Sequence, residues 1–163
     1  MVDVMRTVVV DIASMVVSGN PNDVLVTYSL GSCVGVAIHD PVCGVGGMIH
    51  CMLPLARVDG QKAKARPCMF VDTGMALFLG DLFKRGVRKA RAVVRVAGAS
   101  KILDRNDLFR IGERNYVVLR RMLWLNDLLI AGEDVGGEKR RTVRLEVGSG
   151  RCFVKSGREV TEL

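Results

Sequence analysis

The stretch VLVTYSLGSCVGVAIHDPVCGVGGMIHCML, residues 24–53, decides the fold. Val24, Val26 and Tyr28 alternate with Leu25, Thr27 and Ser29, a period-two pattern that predicts a strand reaching Gly31. Residues 33–39 read as a second strand, stopped by Asp40-Pro41, and residues 45–53 as a third, stopped by Pro54. The turn Asp40-Pro41-Val42-Cys43-Gly44 is short, so the second and third strands form an antiparallel hairpin. Plausible loop lengths pair residues whose numbers sum to roughly 83–85, which puts His50 opposite position 33, 34 or 35. An odd sum places Cys33 and His50 on one face of the ribbon, and an even sum turns them apart. The sequence admits both.

Outward from this hairpin, residues 7–17 are β-branched and apolar, interrupted by Asp11 and Ser14, and read as one long or two short strands. Gly19-Asn20-Pro21-Asn22 is a turn. Residues 56–67 hold Arg57, Lys62, Lys64 and Arg66 with few large apolar groups, and read as an exposed loop. From Asp72 the period becomes helical through Met75, Phe78, Leu79, Leu82 and Phe83. Lys84, Arg85, Arg88 and Lys89 follow near the end where the helix dipole favours cations. Residues 92–97 predict a buried strand. Asn115 is read as the cap of a second helix with an apolar stripe Val118, Met122, Leu125, Leu129, broken by residues 132–137. Residues 143–155 predict a closing hairpin around Gly148-Ser149-Gly150. The sum is an α+β fold of one domain, residues 1–163, with two main helices packed on strands of open order.

Composition narrows the function. Of 163 residues 49% are hydrophobic, enough for a core without staples and too many for disorder. A net charge of +7 favours an acidic partner. Charges at Asp3, Arg6 and Asp11 spoil a secretory leader. The longest charge-free stretches are too short to span a bilayer, so a cytoplasmic protein without membrane insertion is expected. Five cysteines without a CxxC pair read as thiols, not a disulfide framework. Cys33, His39, Cys43, His50 and Cys51 fit no standard zinc spacing, so no metal or other cofactor is expected. Eight aromatics and no recognition motif argue against nucleic acid.

Gly31-Ser32-Cys33-Val34-Gly35 places a cysteine at a tight backbone position. A strand, not a helix, follows it, which excludes the nucleophile elbow of α/β-hydrolases. A nucleophilic cysteine needs a base, and the chain has two histidines. His39 is six residues along an extended strand, about 20 Å away, and reads as exposed beside the turn. His50 reaches Cys33 in the odd registers, where Gly35 leaves open space. A threonine oxygen on the preceding strand, at Thr27, can fix the imidazole tautomer. Each of the three has an ordinary alternative as a core or strand residue. Met48, Met52, Met69 and Met75 read as core, and Cys43, Cys51, Cys68 and Cys152 as small apolar fillers.

Five stretches in order now resemble the CheD family of chemoreceptor glutamine deamidases. They are Leu30-Gly31-Ser32-Cys33-Val34-Gly35; His39-Asp40-Pro41; Gly46-Gly47-Met48-Ile49-His50-Cys51-Met52-Leu53-Pro54; Ile111-Gly112-Glu113-Arg114-Asn115; and Asp134-Val135-Gly136-Gly137. The resemblance implies the family's cysteine-hydrolase type fold and a catalytic Cys33, His50 and Thr27. It further implies conversion of receptor glutamine to glutamate through a thioester, with donors or substrate approach near Gly31, Ser32 and Gly35. Its implied partners are the chemoreceptor cytoplasmic domain and a CheC-type phosphatase, for which Phe109 is a candidate contact. Lys139 and Arg140 stand where the family usually has glycine before its arginine. The alternative is a non-catalytic regulatory partner of the phosphatase or the receptor.

Overall fold

The computed structural model describes residues 3–101 and 109–163. Among these residues ten strands form two five-stranded sheets. The first sheet contains β1 (Arg6–Val9), β3 (Asp23–Leu30), β8 (Arg141–Glu146), β9 (Cys152–Ser156) and β10 (Glu159–Glu162), in that order. The second has the order β2 (Ser14–Ser18), β5 (Val45–Cys51), β4 (Val34–Asp40), β6 (Val93–Gly98) and β7 (Ile130–Val135). Among the described residues three α-helices accompany them: α1 (Gly60–Ala65), α2 (Val71–Lys84) and α3 (Ile111–Leu125). The fold is α+β.

Both faces of the second sheet are covered. Val34, Val36, Ile38, Ile49 and Cys51 pack with Met75, Phe78 and Leu82 of α2 and Leu119 and Leu123 of α3. The alternate residues Ala37 and Met48 pack with Leu25, Val143 and Leu145 of the first sheet. Strands covered on both sides read as continuous apolar runs, which explains why β4 and β5 are buried at every position.

The β4–β5 turn fixes the register. The Asp40 carboxylate accepts Val42 N–H at 2.9 Å, and Gly44, at φ 71°, donates its N–H to Asp40 O. Arg91 binds the same fully buried carboxylate at 2.9 Å and, with backbone donors, holds it well below the usual carboxylate range. The ladder then pairs Asp40 with Val45 and Gly35 with His50, an odd sum of 85.

Several sequence expectations are corrected. Residues 7–17 do form two short strands, one of the two expected arrangements, but β1 and β2 lie in different sheets, parted at Ala13 in the left-handed region (φ 57°). Residues 56–67 are exposed but not a plain loop. They hold α1, whose N-terminus is capped by the Asp59 carboxylate accepting Lys62 N–H at 3.1 Å. α3 begins at Ile111, so Asn115 lies a turn inside it and is not its cap. Its buried line is Gly112, Asn115, Leu119 and Leu123, while Leu125 and Leu129 are exposed. Residues 130–135 form β7 after the helix has ended. His39 is buried because Gly46 and the first sheet close over it, and its Nε2 donates to Val147 O at 2.8 Å. Met52 and Met69 are half-buried rather than core, and Cys43 is exposed.

Candidate active site

One continuous stretch crosses between the sheets and carries the three candidate side chains. Thr27 lies on β3 in the first sheet. A register shift between Thr27 and Leu30, with Ser29 at φ 56°, ends the regular pairing there. Gly31-Ser32-Cys33 carries the chain over to β4 in the second sheet. His50, on the neighbouring β5, is flanked by Gly35 on one side and Ser14 on the other. Cys33 belongs to the apolar cluster between the sheets, and His50 reaches across the same layer.

His50 Nδ1 lies 2.7 Å from Thr27 Oγ1, and that hydroxyl lies 2.7 Å from Val10 O. The carbonyl can only accept, so the single hydroxyl hydrogen goes to Val10 O. Oγ1 must then accept from Nδ1–H. The neutral ring therefore keeps its lone pair on Nε2, which is buried and has no hydrogen-bond partner. A base with its proton fixed on the far nitrogen is what a neighbouring thiol requires.

Burial governs the electrostatics. The His50 imidazolium is disfavoured and its pKa falls to about 4. Burial pushes the Cys33 thiol up to about 11, with the residue's own N–H partly opposing it. At neutral pH the resting pair is a thiol and a neutral imidazole. Cys33 is 8% exposed, and His50 (2%) and Thr27 (0%) are more enclosed. Sγ and Nε2 are not hydrogen-bonded to each other in this state.

The other site candidates fall in different roles. Gly35 does not open a space: a Cβ there would sit 2.8 Å from Leu30 Cδ1 and 3.6 Å from Thr27 Cγ2. Its missing side chain makes room for packing beneath the centre. The carbonyls of Gly31 and Ser32 are turned away to Ser100 N–H and Asn115 Nδ2. Phe109 is 69% exposed and lies just before α3. Among the described residues no group of three His, Cys, Asp or Glu is placed to hold a metal.

Sequence reasoning missed the cradle of the loop that carries Cys33. Gly98, at φ 108°, passes so close that a Cβ would lie 2.2 Å from Cys33 O, and Ala99 N–H donates to that same oxygen at 2.8 Å. Arg141, 2% exposed, binds Gly98 O and Ser100 Oγ behind it. The one available signal was the glycine at the end of the 92–97 apolar run.

The family model described as CheD chemotactic sensory transduction matches residues 52–156, C-terminal to Thr27, Cys33 and His50. The chain is 49% identical over 152 residues to "Probable chemoreceptor glutamine deamidase CheD 1" of Syntrophus aciditrophicus (strain SB), covering 93% of this chain and 95% of that protein. It is 42% identical over 159 residues to "Probable chemoreceptor glutamine deamidase CheD" of Solibacter usitatus (strain Ellin6076), covering 98% and 94%. Among solved structures, the Bacillus licheniformis hypothetical protein YfiH overlaps 76% of this chain and 49% of its own, at 14% identity and a TM-score of 0.45.

Proposed function

The chain belongs to the CheD family, and from that membership we propose that Cys33, His50 and Thr27 carry its chemistry. The protein is a chemoreceptor glutamine deamidase. It hydrolyses the side-chain amide of receptor glutamines to glutamate and ammonia. The observation that supports this site is the hydrogen-bonded relay Val10 O–Thr27 Oγ1–His50 Nδ1, which leaves Nε2 deprotonated in the layer that holds Cys33.

The steps follow from that arrangement. As Cys33 Sγ attacks the amide carbon, Nε2 takes the thiol proton, and imidazolium forms only as the sulfur bonds. Thr27 Oγ1 stabilises the imidazolium through Nδ1–H. The proton passes to the leaving nitrogen, ammonia departs and a thioester remains. Nε2 then takes a proton from water, hydroxide adds to the thioester carbon, and the thiol is restored with release of glutamate. Cys33 N–H, which faces its own sulfur, is the nearest candidate to receive the developing oxyanion.

The partner is the chemoreceptor. Exposed Arg57, Lys62, Lys64, Arg66, Lys84, Arg85, Arg88 and Lys89 suit an acidic receptor surface. A CheC-type phosphatase is a second proposed partner, with exposed Phe109 as a contact. No helix among the described residues is long and apolar enough to cross a membrane. We place the reaction in the cytoplasm, where the family resemblance puts the receptor glutamines.

The test is ammonia release from a purified receptor cytoplasmic fragment, with mass spectrometry locating each amide-to-acid conversion. Cys33→Ala and His50→Ala abolish release while the fold persists. Turnover at the unmutated rate by Cys33→Ala would refute the mechanism.

A further inference from the structure

Asn115 sits on α3, outside the stretch that delivers Thr27, Cys33 and His50, and the steps above do not use it. It is completely buried. Its Nδ2 donates to Ser32 O at 2.9 Å and to Met52 O at 2.9 Å. Ser32 immediately precedes Cys33, and Met52 follows His50 by two residues. Because both partners are carbonyl oxygens, the amide has one orientation, with its nitrogen between them.

The place of this contact is specific. The β4–β5 ladder ends at the pair Val34 and Cys51. The next positions, Cys33 and Met52, have left it: Cys33 O is taken by Ala99 N–H, and Met52 N–H by Met69 O. Asn115 spans the gap where the next rung would stand. α3 is seated tightly against the segment after β6, where its Gly112 lies so close to Ala99 and Ser100 that a Cβ would come within 2.6 Å of Ser100 O. Leu119 and Leu123 anchor the same helix face in the core.

The residue also costs stability. Asparagine is a poor interior helix residue, and Asn115 Oδ1 is buried without a partner. An apolar side chain would fill the space without either cost, but it would leave two carbonyls unbound beside the centre.

We infer that Asn115 is a positioning residue for the deamidation reaction, tying the segment before the nucleophile and the segment after the base to one rigid helix. This rests on the assignment of Cys33 and His50 above. His50 is held within the ladder opposite Gly35, whereas Cys33 lies one residue beyond the last rung, Val34–Cys51, so the approach of Sγ to Nε2 during attack depends on this clamp. A displacement of about 1 Å is enough to slow such a step by ~100-fold.

The experiment compares steady-state ammonia release, per folded molecule, by the full chain and three variants on the receptor cytoplasmic fragment. Asn115→Ala lowers kcat at least about tenfold with KM little changed. Leu119→Ala, one turn further along the same buried face, lowers the melting temperature but leaves kcat per folded molecule intact. Cys33→Ala separates the two possible failures. If it turns over normally, the centre itself is misassigned; if it is inactive while Asn115→Ala keeps full kcat, only the positioning role falls. An equal kcat loss in Leu119→Ala also overturns that role. Should Asn115→Ala not fold, Asn115→Asp carries the test. Its carboxylate repels both carbonyls, but its protonated form can donate, so its kcat relative to the unmutated enzyme rises as pH falls from 8 to 6. A flat ratio equal to one refutes the clamp.

Discussion

Replacing Thr27 by valine keeps the shape and removes one oxygen that serves two partners. In the structure Oγ1 donates to Val10 O and accepts from His50 Nδ1, each at 2.7 Å, at a residue with no exposed surface. Thr27→Val therefore strands a buried carbonyl and a buried ring N–H. At about 1–3 kcal/mol for each unsatisfied group, the fold loses roughly 2–6 kcal/mol, more than almost any surface substitution would cost. Catalysis loses more than stability implies. Hydrogen bonds to charged groups contribute about 1.5–3 kcal/mol, and the ring is charged only as the sulfur attacks. The expected fall in kcat is thus roughly 10- to 100-fold, with KM little changed. Thr27→Ser, which keeps Oγ1 and drops only the methyl that faces Gly35, restores most of the rate. The assay is ammonia release per folded molecule, alongside a thermal melt. Full kcat in a folded Thr27→Val protein would refute the orienting role, as would a serine variant as impaired as the valine one.

Further outcomes follow from the centre's burial and its cradle. Because the His50 pKa falls from its ordinary 6.5 to about 4, kcat/KM stays level through neutrality and declines below about pH 4–5 as Nε2 is protonated; a midpoint near 6.5 in the pH–rate profile would contradict it. The same shift makes the folded state release this proton, so its contribution is present above pH 6.5 and lost as pH falls through 4, up to roughly 3 kcal/mol by chemical denaturation. Cys33 acts at the other end: its raised pKa favours the fold below pH 9 and that benefit disappears as pH rises toward 11. Gly98→Ala forces a Cβ against Cys33 O at a backbone angle that disfavours side chains, so a loss of about 3 kcal/mol or more is expected, about 6–12 °C in melting temperature, together with lost turnover. An unchanged melting temperature would show that this approach is looser than the structure has it.

The legible part of the site was local. Alternation identified β3, apolar runs ended by Asp40-Pro41 and Pro54 identified β4 and β5, and a short turn limited the Cys33–His50 register to three choices. Asp40 and Gly44 selected one of them through turn hydrogen bonds within five residues of chain. Thr27 carried no signal of its own beyond strand propensity, because its significance is a contact between two sheets. His39 shows the same limit. Its place beside a turn suggests exposure, yet residues more than a hundred positions away close over it. Asn115 misled for a chemical reason: the side chain that caps a helix also bridges two carbonyls, and only the surrounding backbone decides which.

The amino-acid order by itself determined the central strands, the antiparallel ribbon and the small set of candidate side chains for attack on an amide. These depend on periodicity and turn chemistry, whose range is a few residues. Tertiary structure alone decided the splitting of residues 7–17 between two sheets, the face that α3 buries and the cradle formed by Gly98, Asn115 and Arg141. Those outcomes are settled by long-range packing and by the need of each buried carbonyl for a donor, and neither leaves a periodic trace along the chain.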